Sequence, residues 1–109
     1  MEAEPIEIDV RTLSRMREEQ IPPTVLDVRE PWEVGLCALD NCLHIPMNEV
    51  PARMDELPSG QPLVVICHHG VRSMQVTQFL RHMGFGNARN LIGGIDAWAA
   101  EMDPAMPRY

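Results

Sequence analysis

Lysine is missing from this 109-residue chain. All nine basic residues are arginine, set against sixteen acidic ones, for a formal net charge of −7 and a pI near 4.9. Binding nucleic acid through its phosphates needs clustered basic residues, so nucleic acid is not expected as a partner. The same acidic surface repels small anions at long range, so an anionic substrate would need a strong local positive site. Long apolar runs are also missing. The longest, Leu63-Val64-Val65-Ile66-Cys67, is far too short to cross a bilayer, and no membrane association is expected. The first five residues, Met-Glu-Ala-Glu-Pro, lack the basic segment and apolar core of a secretory leader, which points to the cytoplasm. Only three cysteines occur, Cys37, Cys42 and Cys67. An odd count in a chain without an export signal argues against a disulfide framework. The four histidines do not stand at metal-ligand spacing with them, so no metal is expected.

What is present is the pattern of a small folded protein. Hydrophobic residues make up 45% and charged ones 23% of the chain, which suits one globular domain and leaves no material for a second core. Residues 1–109 are read as one domain, with its core at about 6–101 and a tail at 102–109. Ile6-Glu7-Ile8-Asp9 alternates as a short strand. Asp9 is placed to cap a helix that runs to about Gln20, ahead of Pro22-Pro23. Thr24-Val25-Leu26-Asp27-Val28 reads as a buried strand, Arg29 through Val34 as a short helical turn, and Leu43-His44-Ile45-Pro46 as another short strand. Val50, Met54 and Leu57 make a helical stripe. Leu63 to Ile66 is the most apolar strand and is expected at the sheet centre. From Ser73 onward Val76, Phe79, Leu80 and Met83 follow helical spacing, with Gly84 where a C-terminal cap belongs. Asn90-Leu91-Ile92 reads as a last strand, Gly93-Gly94 as a tight turn, and Ile95, Trp98 and Ala99 as a helix face. Asp103 to Tyr109, with two prolines, is expected to be extended and mobile. Alternating strands and helices predict an α/β fold, with a central, mostly parallel five-stranded sheet flanked by helices on both faces.

In such sheets ligands bind beyond the C-terminal ends of the strands, and the strongest strand ends at Cys67. The loop Cys67-His68-His69-Gly70-Val71-Arg72-Ser73 leads into an amphipathic helix. A helix N-terminus leaves amide N–H groups unpaired and carries partial positive charge, and a curled loop can aim them inward as an anion nest. Gly70 supplies the backbone freedom for the curl, and Arg72 adds a fixed positive charge. A thiol in that setting is held as the nucleophilic thiolate more readily than a free cysteine. A lone cysteine at a strand end is more often a small buried residue, and the context of strand, Cys, Gly, Arg and helix is what raises Cys67 above that baseline. His68 and His69 could tune the thiolate or donate to a leaving group, or simply be solvated loop residues.

These residues resemble the rhodanese family. The loop CHHGVRS at 67–73 is similar to the family's active-site loop. DVRE at 27–30, with Glu33 following, resembles its motif after the second strand. HIP at 44–46 resembles the segment entering its next strand, and LIGGIDAW at 91–98 its C-terminal signature. The motifs come in the family's order and span about Ile6 to Trp98. The resemblance implies a single rhodanese-like domain acting as a thiosulfate sulfurtransferase without a cofactor. A small anionic donor would load a sulfane sulfur onto Cys67 as a persulfide, releasing sulfite. The sulfur would then pass to cyanide in an assay, or to a thiol or protein acceptor in the cell. By position, His68, His69, Gly70, Val71, Arg72 and Ser73 would form the substrate- and persulfide-binding loop. Arg72 would attract the donor, and Asp27 and Arg29 would brace the scaffold. The resemblance leaves open a monomer or a weak homodimer. One stretch departs from the family: Cys37-Ala38-Leu39-Asp40-Asn41-Cys42 lacks the glycines and histidine usual there. That puts the local turn in doubt and leaves Cys37 and Cys42 as packing residues or, less simply, a relay thiol.

Three alternatives differ in chemistry or in acceptor. A cysteine phosphatase or arsenate reductase needs five residues between Cys and Arg to seat a tetrahedral oxyanion, and here four separate Cys67 from Arg72. A non-enzymatic partner-binding module would usually lack the loop cysteine. A sulfur carrier in tRNA or cofactor thiolation would keep Cys67 and differ only in its acceptor.

Overall fold

The computed structural model describes residues 5–109; residues 1–4, on which the expectation about a secretory leader partly rests, lie outside the described residues. Five strands form one sheet in the order β1-β5-β4-β2-β3: β1 (Glu7–Ile8), β2 (Thr24–Asp27), β3 (Cys42–His44), β4 (Leu63–Ile66) and β5 (Ala88–Leu91). Every pairing is parallel, so the sheet is wholly and not just mostly parallel, and all strands point their C-terminal ends at one edge. β4 lies at the centre, as its sequence predicts, with all four of its residues buried. Its unbroken apolar run follows from burial on both faces of the sheet.

The two faces have separate cores. Leu63 and Val65 face one side with Leu26, and there Val76 and Leu80 of α3 (Val71–His82) and Val50 and Leu57 pack on them. Val64 and Ile66 face the other side with Val25 and Leu91, covered by Val10 and Leu13 of α1 (Val10–Arg17) and Ile95 of α4 (Gly94–Glu101). A four-residue helix, α2 (Pro31–Val34), follows β2. Asp9 caps α1 as expected, its Oδ1 accepting from Thr12 N–H at 2.8 Å, and α1 stops three residues before the predicted Gln20.

The helix predicted over Val50–Leu57 is instead two short 3-10 segments, Met47–Glu49 and Pro51–Glu56. Pro51 has no N–H to offer, and Arg53 sits at φ −122°, so the hydrogen bonds close over three residues: Arg53 N–H to Val50 carbonyl and Leu57 N–H to Met54 carbonyl, both 3.0 Å. Residues 103–109, expected to be extended and free, lie against the C-terminal edge of the sheet, with Met106 and Tyr109 packed on the second core. Among the described residues no helix is long and apolar enough to cross a membrane.

Candidate active site

β4 carries the chain to Cys67 at the sheet edge, and α3 starts only four residues later at Val71. The turn is closed by Gly70 at φ +99°, a left-handed conformation that a side chain disfavours. The geometry brings donors onto one sulfur. Gly70 N–H donates to Cys67 Sγ at 3.1 Å and Ser73 N–H at 3.4 Å, and Ser73 Oγ lies 3.2 Å away. Gly70 is the N-cap of α3 and Ser73 lies in its first turn, where amides have no partner within the helix. Cys67 is 1% exposed and belongs to the first core, and the Gly70 and Ser73 donors are aimed at its sulfur from the loop side.

A second helix explains why the loop peptides point this way. α4 begins against the loop, and Ile95 N–H donates to the Cys67 carbonyl at 2.9 Å while Asp96 N–H donates to the His68 carbonyl at 3.1 Å. With its carbonyls held outward by α4, the loop turns amides inward to the sulfur. Gly94 permits this approach: a β-carbon there would stand 2.4 Å from the Cys67 carbonyl oxygen and 2.6 Å from that of His68. Read from sequence, Gly93-Gly94 was only a tight turn. Both glycines do have positive φ, and Gly94 has this further task.

Asn90, buried in β5, braces the loop from below. Its Nδ2 donates to the Gly70 carbonyl at 3.2 Å and to Glu7 Oε2 at 3.1 Å, and its Oδ1 meets the Ser73 hydroxyl. That hydroxyl has one proton, which goes either to Asn90 or to Cys67 Sγ.

Asp27 and Arg29 stand behind the loop. Asp27 pairs with Ile66 in the sheet register, one residue before Cys67. Its carboxylate takes a forked contact from the fully buried Arg29, Nε to Oδ1 at 3.0 Å and a terminal nitrogen to Oδ2 at 2.7 Å. Arg29 also donates to the Cys37 carbonyl at 2.8 Å and the Tyr109 hydroxyl at 3.0 Å. Burial alone would lower its pKa, but the hydrogen bonds with Asp27 and Tyr109 raise it, so it stays charged. His44, at the end of β3, places Nε2 2.7 Å from the Arg29 carbonyl oxygen.

Arg72 is not the free cation the sequence suggests. It makes a two-pronged contact with Glu33, 2.7 and 2.8 Å, which ties α3 to α2. Arg72 holds the Glu33 carboxyl down to about pKa 2, against the opposing effect of burial. The charge expected to draw a donor is largely balanced by this partner. Val71 points outward and is exposed. His68 and His69 make no hydrogen bond to the sulfur. Their rings face each other at 3.9 Å, and His69 Nδ1 lies 3.8 Å from Asp96. Burial, and next the neighbouring His69, lower the pKa of His68.

Tyr109 stacks on His68 with ring centres 3.8 Å apart and planes at 5°, and meets Trp32 edge-on at 6.1 Å. Its hydroxyl donates to Glu33 Oε1 at 2.9 Å. Burial pushes its own pKa up to about 12. Cys37 lies 4.0 Å from Arg29, and Cys42 is a packed thiol whose pKa burial pushes up to about 11. Among the described residues no three His, Cys, Asp or Glu are grouped to hold a metal ion.

A parallel sheet with a cysteine in a short loop at its central strand's end, its sulfur met by backbone amides, defines a class that comparison with known proteins makes specific. The Rhodanese-like domain matches residues 9–101. A sulfurtransferase of Allochromatium vinosum is 37% identical over 93 residues, covering 85% of this chain and 87% of that protein. The thiosulfate sulfurtransferase GlpE of Vibrio cholerae is 29% identical over 93 residues, with coverage of 85% and 87%. The crystal structure of a rhodanese-related protein from Thermoplasma volcanium superposes with a TM-score of 0.80 at 33% identity, covering 88% of this chain and 92% of that one. Some other curated relatives are much longer, and the chain spans 23% of their length. The chain belongs to the rhodanese-like family and is a sulfurtransferase of that family.

Proposed function

We propose that the chain moves a sulfane sulfur from a small anionic donor, thiosulfate in the simplest case, to a thiol acceptor through a persulfide on Cys67. The observation that supports this reading best is the convergence of the Gly70 and Ser73 amides on Cys67 Sγ. Such donors are placed to hold the terminal anionic sulfur of a persulfide, since charge-assisted hydrogen bonds are about twice as strong as neutral ones. In the first half-reaction the thiolate attacks the outer sulfur of thiosulfate. A new S–S bond forms to Cys67, the old one breaks, and its electron pair leaves with sulfite. In the second, an acceptor thiolate or cyanide attacks the terminal sulfur, and the pair returns to Cys67. The A. vinosum and V. cholerae relatives carry sulfurtransferase names, and the second names thiosulfate.

The phosphatase reading is disfavoured by Arg72. A tetrahedral oxyanion needs a free guanidinium over the loop, and here Glu33 occupies both prongs. The test is intact-mass analysis after incubation with thiosulfate. The protein should gain one sulfur atom, lose it on adding cyanide, and Cys67→Ser should gain none. Sulfur uptake by Cys67→Ser would overturn the assignment. Thiosulfate–cyanide turnover that is slow beside transfer to a protein thiol would place the chain among sulfur carriers.

A further inference from the structure

Residues 103–109 have no helix or strand of their own, yet they are fastened at two points beside the Cys67 loop. Arg108 makes a two-pronged contact with Asp96, 3.0 and 3.1 Å. Tyr109 lays its ring on His68, the residue after Cys67, and sets its hydroxyl between Arg29 and Glu33. Backbone anchoring in this stretch is sparse: Asp103 N–H donates to the Trp98 carbonyl at 3.1 Å and Met106 N–H to the Asp103 carbonyl at 3.0 Å. Arg108 and Asp96 are solvent-accessible, and an exposed pair contributes little. The His68 ring also hydrogen-bonds the Tyr109 backbone, while its Nε2 is buried without a hydrogen-bond partner. Cys67 itself is 1% exposed, and the residue that follows it carries the Tyr109 ring.

We propose that Tyr109 is a specificity-determining residue of the Cys67 site. Residues 103–109 act as a strap, latched by Arg108 on Asp96, that admits small donors to the sulfur and admits bulky acceptors only when Tyr109 lifts from His68. This rests on the reading of Cys67 as the sulfur-carrying thiol, but it concerns access alone. A hydroxyl bridging Arg29 and Glu33 also explains why the strap closes in one position: it finds an acceptor in the Glu33 carboxylate and a donor in the Arg29 guanidinium. Trp32 on α2 abuts the ring edge-on and is itself exposed, so it stands beside the opening when the strap is lifted.

The test compares alkylation of Cys67 by a small reagent, iodoacetamide, with a bulky one, fluorescein maleimide, located by peptide mass mapping so that Cys37 and Cys42 do not interfere. Relative to the unaltered chain, Tyr109→Ala should raise the bulky-to-small rate ratio about tenfold. Tyr109→Phe, which keeps the stacked ring, should change it little. Arg108→Ala loosens only a weak exposed latch and should raise the ratio by a smaller factor, about two- to threefold, even if Tyr109→Ala folds poorly by circular dichroism. Equal ratios in the unaltered chain, Arg108→Ala and folded Tyr109→Ala would overturn the proposal. Sulfur uptake from thiosulfate by the unaltered chain is read separately, so a failure of the persulfide reading is distinguishable from a failure of the strap.

Discussion

Replacing Gly94 by alanine gives the sharpest test of how α4 shapes the sulfur site. Two costs are separable. Gly94 has φ +60°, and an L side chain there costs about 1–2 kcal/mol of stability. The added β-carbon would also stand 2.4 Å from the Cys67 carbonyl oxygen, where separations under 3.0 Å essentially never occur. The loop must therefore retreat from α4 by at least ~0.6 Å, which loosens the bonds from Ile95 and Asp96 that hold its carbonyls outward. A misplacement of about 1 Å costs reacting groups about 10²-fold, so a loss of about 10- to 100-fold in persulfide formation is expected. Gly60→Ala is the control. Gly60 has φ +77° with nothing within 4 Å of the added carbon, so it carries the backbone cost without the clash. Both variants should lose similar stability in urea titration beyond any cost of the Gly94 clash, and only Gly94→Ala should lose sulfur uptake, followed by mass after timed exposure to thiosulfate. If Gly94→Ala loads sulfur as fast as Gly60→Ala, the amides at Cys67 do not depend on the contact with α4, and the reasoning fails.

Asp27→Asn leaves Arg29 buried with its carboxylate partner gone, and should destabilise the fold by about 3–5 kcal/mol in chemical denaturation; a loss under about 1 kcal/mol would show that the pair is not structural. Glu33 has its pKa depressed from 4.5 to about 2, chiefly by Arg72, so its contribution is present above the unfolded value near 4.5 and is lost as pH falls from there toward 2. At roughly 1.4 kcal/mol per pH unit this amounts to about 3 kcal/mol, and Glu33→Gln should flatten that part of the stability-versus-pH curve; an unchanged acid limb would refute the assignment.

Much of the fold was legible because its cause is local. The apolar run Leu63–Ile66 can be buried only at a sheet centre, and the change of period after the Cys67 loop marks α3. The 3-10 segments after β3 were read as one helix, since Val50, Met54 and Leu57 keep helical spacing while the spacing does not register how Pro51 tightens the turn. Within the site, Cys67 and Gly70 were legible because a strand–loop–helix junction dictates where amides point. Asn90 was not, because an asparagine in a short strand has no local mark of the loop it braces across the sheet. Glu33 was noted only as part of a motif, and its hold on Arg72 depends on where α2 and α3 meet. Tyr109 was set aside with a proline-bearing tail, though the only tyrosine in a chain poor in aromatics is itself a signal that a ring is placed with purpose.

An acidic chain proposed to take an anionic sulfur donor faces an electrostatic conflict, and the pairing of its arginines bears on how it is met. Arg29 is matched by Asp27, and Arg72 by Glu33, although Arg72 still interacts with Cys67. A second source of positive potential at Cys67 is the backbone: the N-terminus of α3 presents its unpaired amides, and α4 uses its own first amides to keep the opposing carbonyls turned away. Potential from amides falls off within a turn of the helix, so it acts on a sulfur bonded at the loop and hardly on ions in solution. The arginine pairs then serve to hold the loop in shape, and charge selection happens at one atom and not over the surface. A donor must reach that atom before it is attracted, which makes access to Cys67, and so whatever lies over His68, the step where the structure can choose among substrates.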